Sequence, residues 1–139
     1  MPKGPIPLRV HALVEPFVAA FLIVSPWIFG FSDIDSCTIV CVIVGVIMLL
    51  GGMSTRWRYS MVKLIPLRVH LMTDAVLAIA LIVTPFIAGV SDRGDATRLM
   101  VILGALELLT ALSTRWDERE EFAEHHRSGR PGTPTPAER

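Results

Sequence analysis

Charge is scarce in this sequence. Asp, Glu, Lys and Arg make up 19% of its 139 residues and cancel to a formal net charge of zero, so the whole-chain balance points neither to nucleic acid nor to acidic partners. Cysteine is scarce too. Cys37 and Cys41 stand four apart and are replaced by Ala96 and Met100 in the second half of the chain, so they build no repeated framework and read as small apolar packing residues. No Ser/His/Asp set, phosphate-cradling glycine loop or cysteine and histidine cluster is visible, which excludes the familiar soluble catalytic constellations; no enzyme, no metal and no cofactor is expected. What is abundant is apolar surface: 52% hydrophobic residues and a mean hydropathy of +0.55 place the chain in a bilayer.

The sequence is a tandem duplication. Residues 6–57 align with 65–116 without a gap, at a constant shift of 59, with 25 identities in 52 positions. Both copies open with Ile-Pro-Leu-Arg-Val-His and close with Ser-Thr-Arg-Trp. Each copy is expected to be one supersecondary unit that buries its apolar surface against its twin. Within the first copy lies Ser25-Pro26-Trp27, followed by Gly30; the second reads Thr84-Pro85-Phe86, followed by Gly89.

A Ser-Pro-Trp tripeptide inside an apolar run, a glycine soon after it and recurrence after about one hairpin resemble the SPW repeat family of small prokaryotic membrane proteins. The resemblance covers residues 6–116, and the second copy departs from the tripeptide. It implies a bacterial or archaeal integral membrane protein and carries over no catalytic residue.

Taken in order, residues 1–11 form a polar, proline-punctuated N-terminal lead, expected to be cytoplasmic and unlike a cleaved signal peptide. Residues 12–54 form the first two-helix unit, residues 55–73 a cytoplasmic or interfacial linker, residues 74–114 the second two-helix unit, and residues 115–139 a polar, largely disordered tail. The first span, Ala12 to Phe31, is twenty residues long, matching the roughly 20 needed to cross ~30 Å of hydrocarbon. Pro26 frees the carbonyl of Leu22, Ser25 is placed to satisfy it, and Trp27 falls at the membrane surface. The second, third and fourth spans are expected at Cys37–Ser54, Asp74–Val90 and Ala96–Thr114. A polar extension of the fourth is expected to about His126, with disorder beyond. Gly45 and its counterpart Gly104 are candidates for a helix crossing near the internal pseudo-axis.

The fold class is therefore an all-α membrane protein with four transmembrane helices in two tandem hairpins, a parallel internal repeat. Eleven basic residues, among them Lys3, Arg9, Arg56, Arg68 and Arg115, fall on one side against Arg93 and Arg98 on the other. The positive-inside rule then makes both termini cytoplasmic in a prokaryotic plasma membrane.

Few polar residues are candidates for function. Glu107 lies well inside the fourth span where the first copy has Met48, and is either a carboxyl that fixes helix pairing or part of a proton or cation relay. His11 with Glu15, and His70 with Asp74, repeat an i, i+4 pair that shares one helix face. These read as interfacial histidines capped by carboxylates, with proton or ion transfer and bis-histidine haem ligation by His11 and His70 as alternatives. Arg9, Arg56, Trp57, Arg68, Arg115 and Trp116 form a candidate collar for lipid headgroups or a partner's acidic patch. The preferred reading is a structural or accessory membrane protein whose partners are membrane lipids, a second copy or a larger membrane protein, with no nucleic acid. An oligomeric transporter or channel and a haem-binding redox protein are the alternatives.

Overall fold

The computed structural model of the chain describes residues 4–56 and 60–116. Four helices follow one another: α1 Leu8–Ile28, α2 Asp35–Ser54, α3 Leu67–Ile87 and α4 Gly94–Ser113. All four are long and apolar enough to cross a membrane. At ~1.5 Å per residue, twenty or twenty-one residues span about 30 Å, the thickness of the hydrocarbon core.

The helices start earlier than hydropathy suggests. α1 opens at Leu8 instead of Ala12, and α3 at Leu67 instead of Asp74, which shortens the connection between the units. Proline sets both starts. Pro7 and Pro66 hold extended N-cap conformations (φ −64°, ψ 140° and φ −63°, ψ 146°), and the polar first turns that follow are helical although not apolar. α2 likewise begins at Asp35 and α4 at Gly94. α4 ends at Ser113 and Thr114–Arg115 is an extended strand, β2; the extension expected to about His126 lies outside the described residues. β2 pairs in parallel with β1, Ile6–Pro7, matching Ile6 to Thr114. Thr55 bridges Ile65 in the same sense, so the repeat makes one seam twice. Trp57, Lys3 and the tail from Asp117 lie outside the described residues.

Each repeat carries the same device at the end of its first helix. Pro26 leaves the Leu22 carbonyl without an amide, and Ser25 Oγ donates to that oxygen at 2.9 Å. Gly30 then takes a left-handed φ of +69°, letting the Phe31 amide reach back to the Pro26 carbonyl at 2.9 Å. In the second copy Gly89 (φ +67°) allows Val90 to reach Pro85, also at 2.9 Å. This is a glycine-closed C-cap, in which the proline supplies the accepting carbonyl. Thr84 differs from Ser25 by donating to Ala80 at 2.6 Å.

α1 packs chiefly on α2 and α3 on α4, with α2 and α3 in contact between them and sparser contact between α1 and α4. The glycines serve the first of these contacts, not a crossing at the pseudo-axis. A Cβ on Gly45 would lie 2.8 Å from the Ala19 carbonyl oxygen of α1, and one on Gly104 2.7 Å from that of Ala78 in α3. Each glycine therefore lets the two helices of its own unit approach closely. The core between the helices is filled by Ala19, Leu22, Cys37, Cys41, Met48, Leu81 and Met100. The outer surface is apolar, with Phe17, Trp27, Met72, Phe86 and Ile87 all well exposed. In water such a surface would aggregate, whereas in a bilayer it is the solvated face.

Candidate functional site

The polar residues missing from the outer surface are gathered inside. His11 and Glu15 lie one turn apart on α1, and His70 and Asp74 one turn apart on α3; all four are 1–3% exposed. The i, i+4 spacing puts each pair on one face, and the two faces are turned toward each other. Cross-repeat contacts are as short as those within a helix. His70 Nε2 lies 3.1 Å from Glu15 Oε2 and 3.3 Å from Asp74 Oδ2, while His11 Nε2 lies 3.5 Å from each of the same two oxygens. The two expected interfacial pairs are thus one buried box of two imidazoles and two carboxylates. Burial leaves these groups no solvent to pair with: His70 Nε2 and Glu15 Oε2 are hydrogen-bonded at 3.1 Å, while the other nitrogen-to-oxygen contacts are ion-pair approaches.

Two threonines fix the ring orientation. Thr55 Oγ1 lies 2.9 Å from His70 Nδ1, and Thr114 Oγ1 lies 3.2 Å from His11 Nδ1. Each hydroxyl also donates its single proton to a carbonyl one turn back, Gly51 or Thr110, at 2.7 Å. A hydroxyl so committed can only accept from the ring, so each Nδ1 carries a hydrogen and each Nε2 points at the carboxylates. The arrangement exchanges partners between repeats: the closing threonine of one copy holds the opening histidine of the other. Neither Thr55 nor Thr114 stood out on residue chemistry. The signal that finds them is the exact recurrence of Ser-Thr-Arg-Trp in the positions that the β1–β2 seam and its twin bring beside the histidines.

Trp116 is not part of a headgroup collar. It is 2% exposed, donates Nε1–H to the Ala111 carbonyl at 2.7 Å, and lies edge-on to His11 at 5.0 Å between ring centroids and 5.9 Å from His70. The tryptophan caps the box because the strand at Thr114–Arg115 turns the chain back over it. Arg9, Arg56, Arg68 and Arg115 are exposed, as a collar requires. Arg56 also reaches the Lys63 carbonyl at 3.3 Å and Arg115 that of Gly4 at 3.4 Å.

Glu107 is buried at 7% exposure beside the box. It lines a pocket of about 90 Å³ between α1 and α4 with His11, Glu15 and Thr110. Its Oε1 has no hydrogen-bond partner among the described residues. At the opposite end of the bundle Arg93 meets Asp33 at 2.8 Å and holds that exposed carboxyl below the usual carboxylate range.

The box does not fit a haem. Both Nε2 atoms face carboxylate oxygens at 3.1–3.5 Å, so those oxygens stand where a porphyrin would have to enter. Small ions are another matter, since ligand atoms of His11, His70 and Asp74 lie within 4.8 Å of one another.

A family model described as the SPW repeat domain matches residues 9–114. The chain belongs to the SPW repeat family. It is a multi-pass membrane protein with four spanning helices. No curated protein and no solved structure matches it. In this SPW repeat protein the Ser-Pro-Trp segment itself ends a helix, with Trp27 at 60% exposure facing outward, and lies at the far end of α1 from the His/carboxylate box.

Proposed function

We propose that this SPW repeat protein is a structural or accessory component of the prokaryotic plasma membrane, with both termini in the cytoplasm. In this reading the box locks the two repeats into one rigid body. The exposed arginines at the same end then engage anionic groups, either lipid phosphates or an acidic face of a larger membrane protein. The observation that carries it is the division of the charged residues. His11, Glu15, His70 and Asp74 are turned inward on one another, while Arg9, Arg56, Arg68 and Arg115 are turned outward. Charge that pairs internally organises a fold, and charge left at the surface next to a span meets headgroups or partners.

The conductor reading draws on a different observation: Glu107, buried with an unpartnered oxygen in a pocket that also touches His11 and Glu15. Four helices leave no room for a pore through one chain, so this reading needs a homo-oligomer.

Purification of the tagged protein from its native host in lipid nanodiscs, with mass determination of the intact particle, separates the two. The accessory role predicts a stoichiometric larger partner or retained anionic lipid, lost when the four arginines are replaced by Gln. A bare homo-oligomer whose proton or cation flux in proteoliposomes disappears with Glu107→Gln, with the fold kept, would overturn it.

A further inference from the structure

The box has the composition and spacing of an ion site. Around a four-coordinate metal with bonds of ~2.1 Å, neighbouring ligand atoms lie ~3.0–3.4 Å apart, whether the arrangement is planar or tetrahedral. The four nitrogen-to-oxygen separations in the box are 3.1, 3.3, 3.5 and 3.5 Å, and ligand atoms of three of its residues, His11, His70 and Asp74, all lie within 4.8 Å of one another. Asp74 Oδ2 supplies an independent sign. It is buried and within ion-pair distance of both Nε2 atoms, yet it makes no hydrogen bond among the described residues. An oxygen that stands close to two nitrogens without the geometry to bond either is aimed at the space between them.

We propose that His11, His70 and Asp74 form a buried site for one divalent transition-metal ion, bound through two imidazole nitrogens and one carboxylate oxygen, with the Glu15 carboxylate beside them supplying a second negative charge. Thr55 and Thr114 are its positioning residues. By accepting the Nδ1 protons they aim each Nε2 inward, as the outer partners of metal-bound histidines do, so that any Nε2 hydrogen held against the carboxylates is released to solvent when the ion binds. Charge selects the valence. Two carboxylates and two neutral imidazoles carry −2, so a divalent ion makes the site neutral, whereas a monovalent or trivalent ion leaves a net charge in a low-dielectric interior. Donor type narrows the class further, since paired imidazoles favour zinc, iron and their neighbours over magnesium or calcium. The pocket lined by Glu107 and Thr110 reaches His11 and Glu15 from the α1–α4 side. The inference rests on the geometry of the box and not on the accessory role, so either can fail alone.

The test uses untagged full-length protein in lipid nanodiscs, stripped with a chelator, loaded with zinc and freed of excess by gel filtration. About one zinc per chain should remain, and magnesium should not be retained. Asp74→Asn should lower zinc affinity at least ~10-fold, and Thr55→Val by about 10–100-fold, the usual effect of losing an outer partner. Asp33→Asn, at the far turn, should bind as the parent does. If Asp74→Asn does not fold, Thr55→Val and the visible spectrum of the cobalt-loaded parent decide the matter. A folded parent protein that retains less than ~0.1 zinc per chain, or zinc binding undiminished in both site variants, would overturn the assignment.

Discussion

Thr114 accepts a hydrogen bond from His11 Nδ1 across 103 residues of sequence, at 3.2 Å. The contact is made possible by the Thr114 hydroxyl spending its own proton on Thr110, and it is repeated by Thr55 and His70 at 2.9 Å. Each unit therefore completes the other's histidine, supplying the threonine at its Nδ1.

Replacing Thr114 with Val should leave a buried Nδ1–H without an acceptor and cost about 1–3 kcal/mol. Thermal unfolding in detergent would read this as a lowered midpoint, with Thr114→Ser close to the parent because the hydroxyl is kept. Thr55→Val should behave the same way. The double variant should lose an amount different from the simple sum, because both threonines act on one connected box. Strict additivity would mean that the two rings are held independently.

A buried ionic box is better at choosing an arrangement than at stabilising it. Glu15→Ala removes one member and strands the others, and should destabilise by about 3–5 kcal/mol. Replacing His11, Glu15, His70 and Asp74 together by Leu should cost less than that single change, because no buried charge is left unpaired. Denaturation in mixed micelles compares the two. If the fourfold variant is the less stable, the box contributes net stability beyond fixing which faces meet.

Close backbone approach makes the small residues unequal. Gly45→Ala places a methyl 2.8 Å from the Ala19 carbonyl oxygen and 2.6 Å from Ile23 Cγ1, and Gly104→Ala places one 2.7 Å from the Ala78 oxygen. Each should cost about 1–3 kcal/mol through separation of the helix pair. Gly51→Ala meets its nearest atom, His70 Nδ1, at 3.7 Å, an ordinary contact, and should be tolerated. Equal gain at all three positions would show that helix propensity, not the crossing, governs the response.

Much of this was legible in the sequence, for reasons that also explain what was not. Four spans follow from four apolar runs, and the repeat follows from identity at a fixed shift, because both are properties of the chain read linearly. The starts at Leu8 and Leu67 were missed since hydropathy penalises a polar first turn that Pro7 and Pro66 nevertheless launch as helix. His11 with Glu15 and His70 with Asp74 were visible as helix-face pairs, yet their fusion into one box depends on which faces meet, a tertiary choice. Trp116 looked like an interfacial anchor because its type favours that zone; the strand before it turns it inward. Thr55 and Thr114 carry ordinary side chains, and their role comes only from place.

The link at the other end of the bundle is one-sided, and its pH response should show it. Arg93 pairs with Asp33 at 2.8 Å, but the first-copy counterpart of Arg93 is Ile34, so Asp92 receives no matching partner from that position. The Arg93 side-chain hydrogen bond is the main reason that the Asp33 carboxyl titrates below its ordinary range. A carboxyl depressed in the folded state adds its stability above the ordinary carboxylate value of ~3.9 and loses it as the pH falls through the lower folded value. Both side chains are about half exposed, at 49% and 60%, so the contribution is small and screened by salt. Carbon-detected NMR titration of Asp33 should therefore give a lower midpoint in the parent than in Arg93→Ala, with the gap narrowing as salt is added. Their thermal midpoints should differ slightly at neutral pH and converge in acid. An Asp33 midpoint unchanged by Arg93→Ala would mean that the two turns are not joined by this pair in the membrane, and that the repeats are tied together by the α2–α3 contact, the strand seams and the His/carboxylate box.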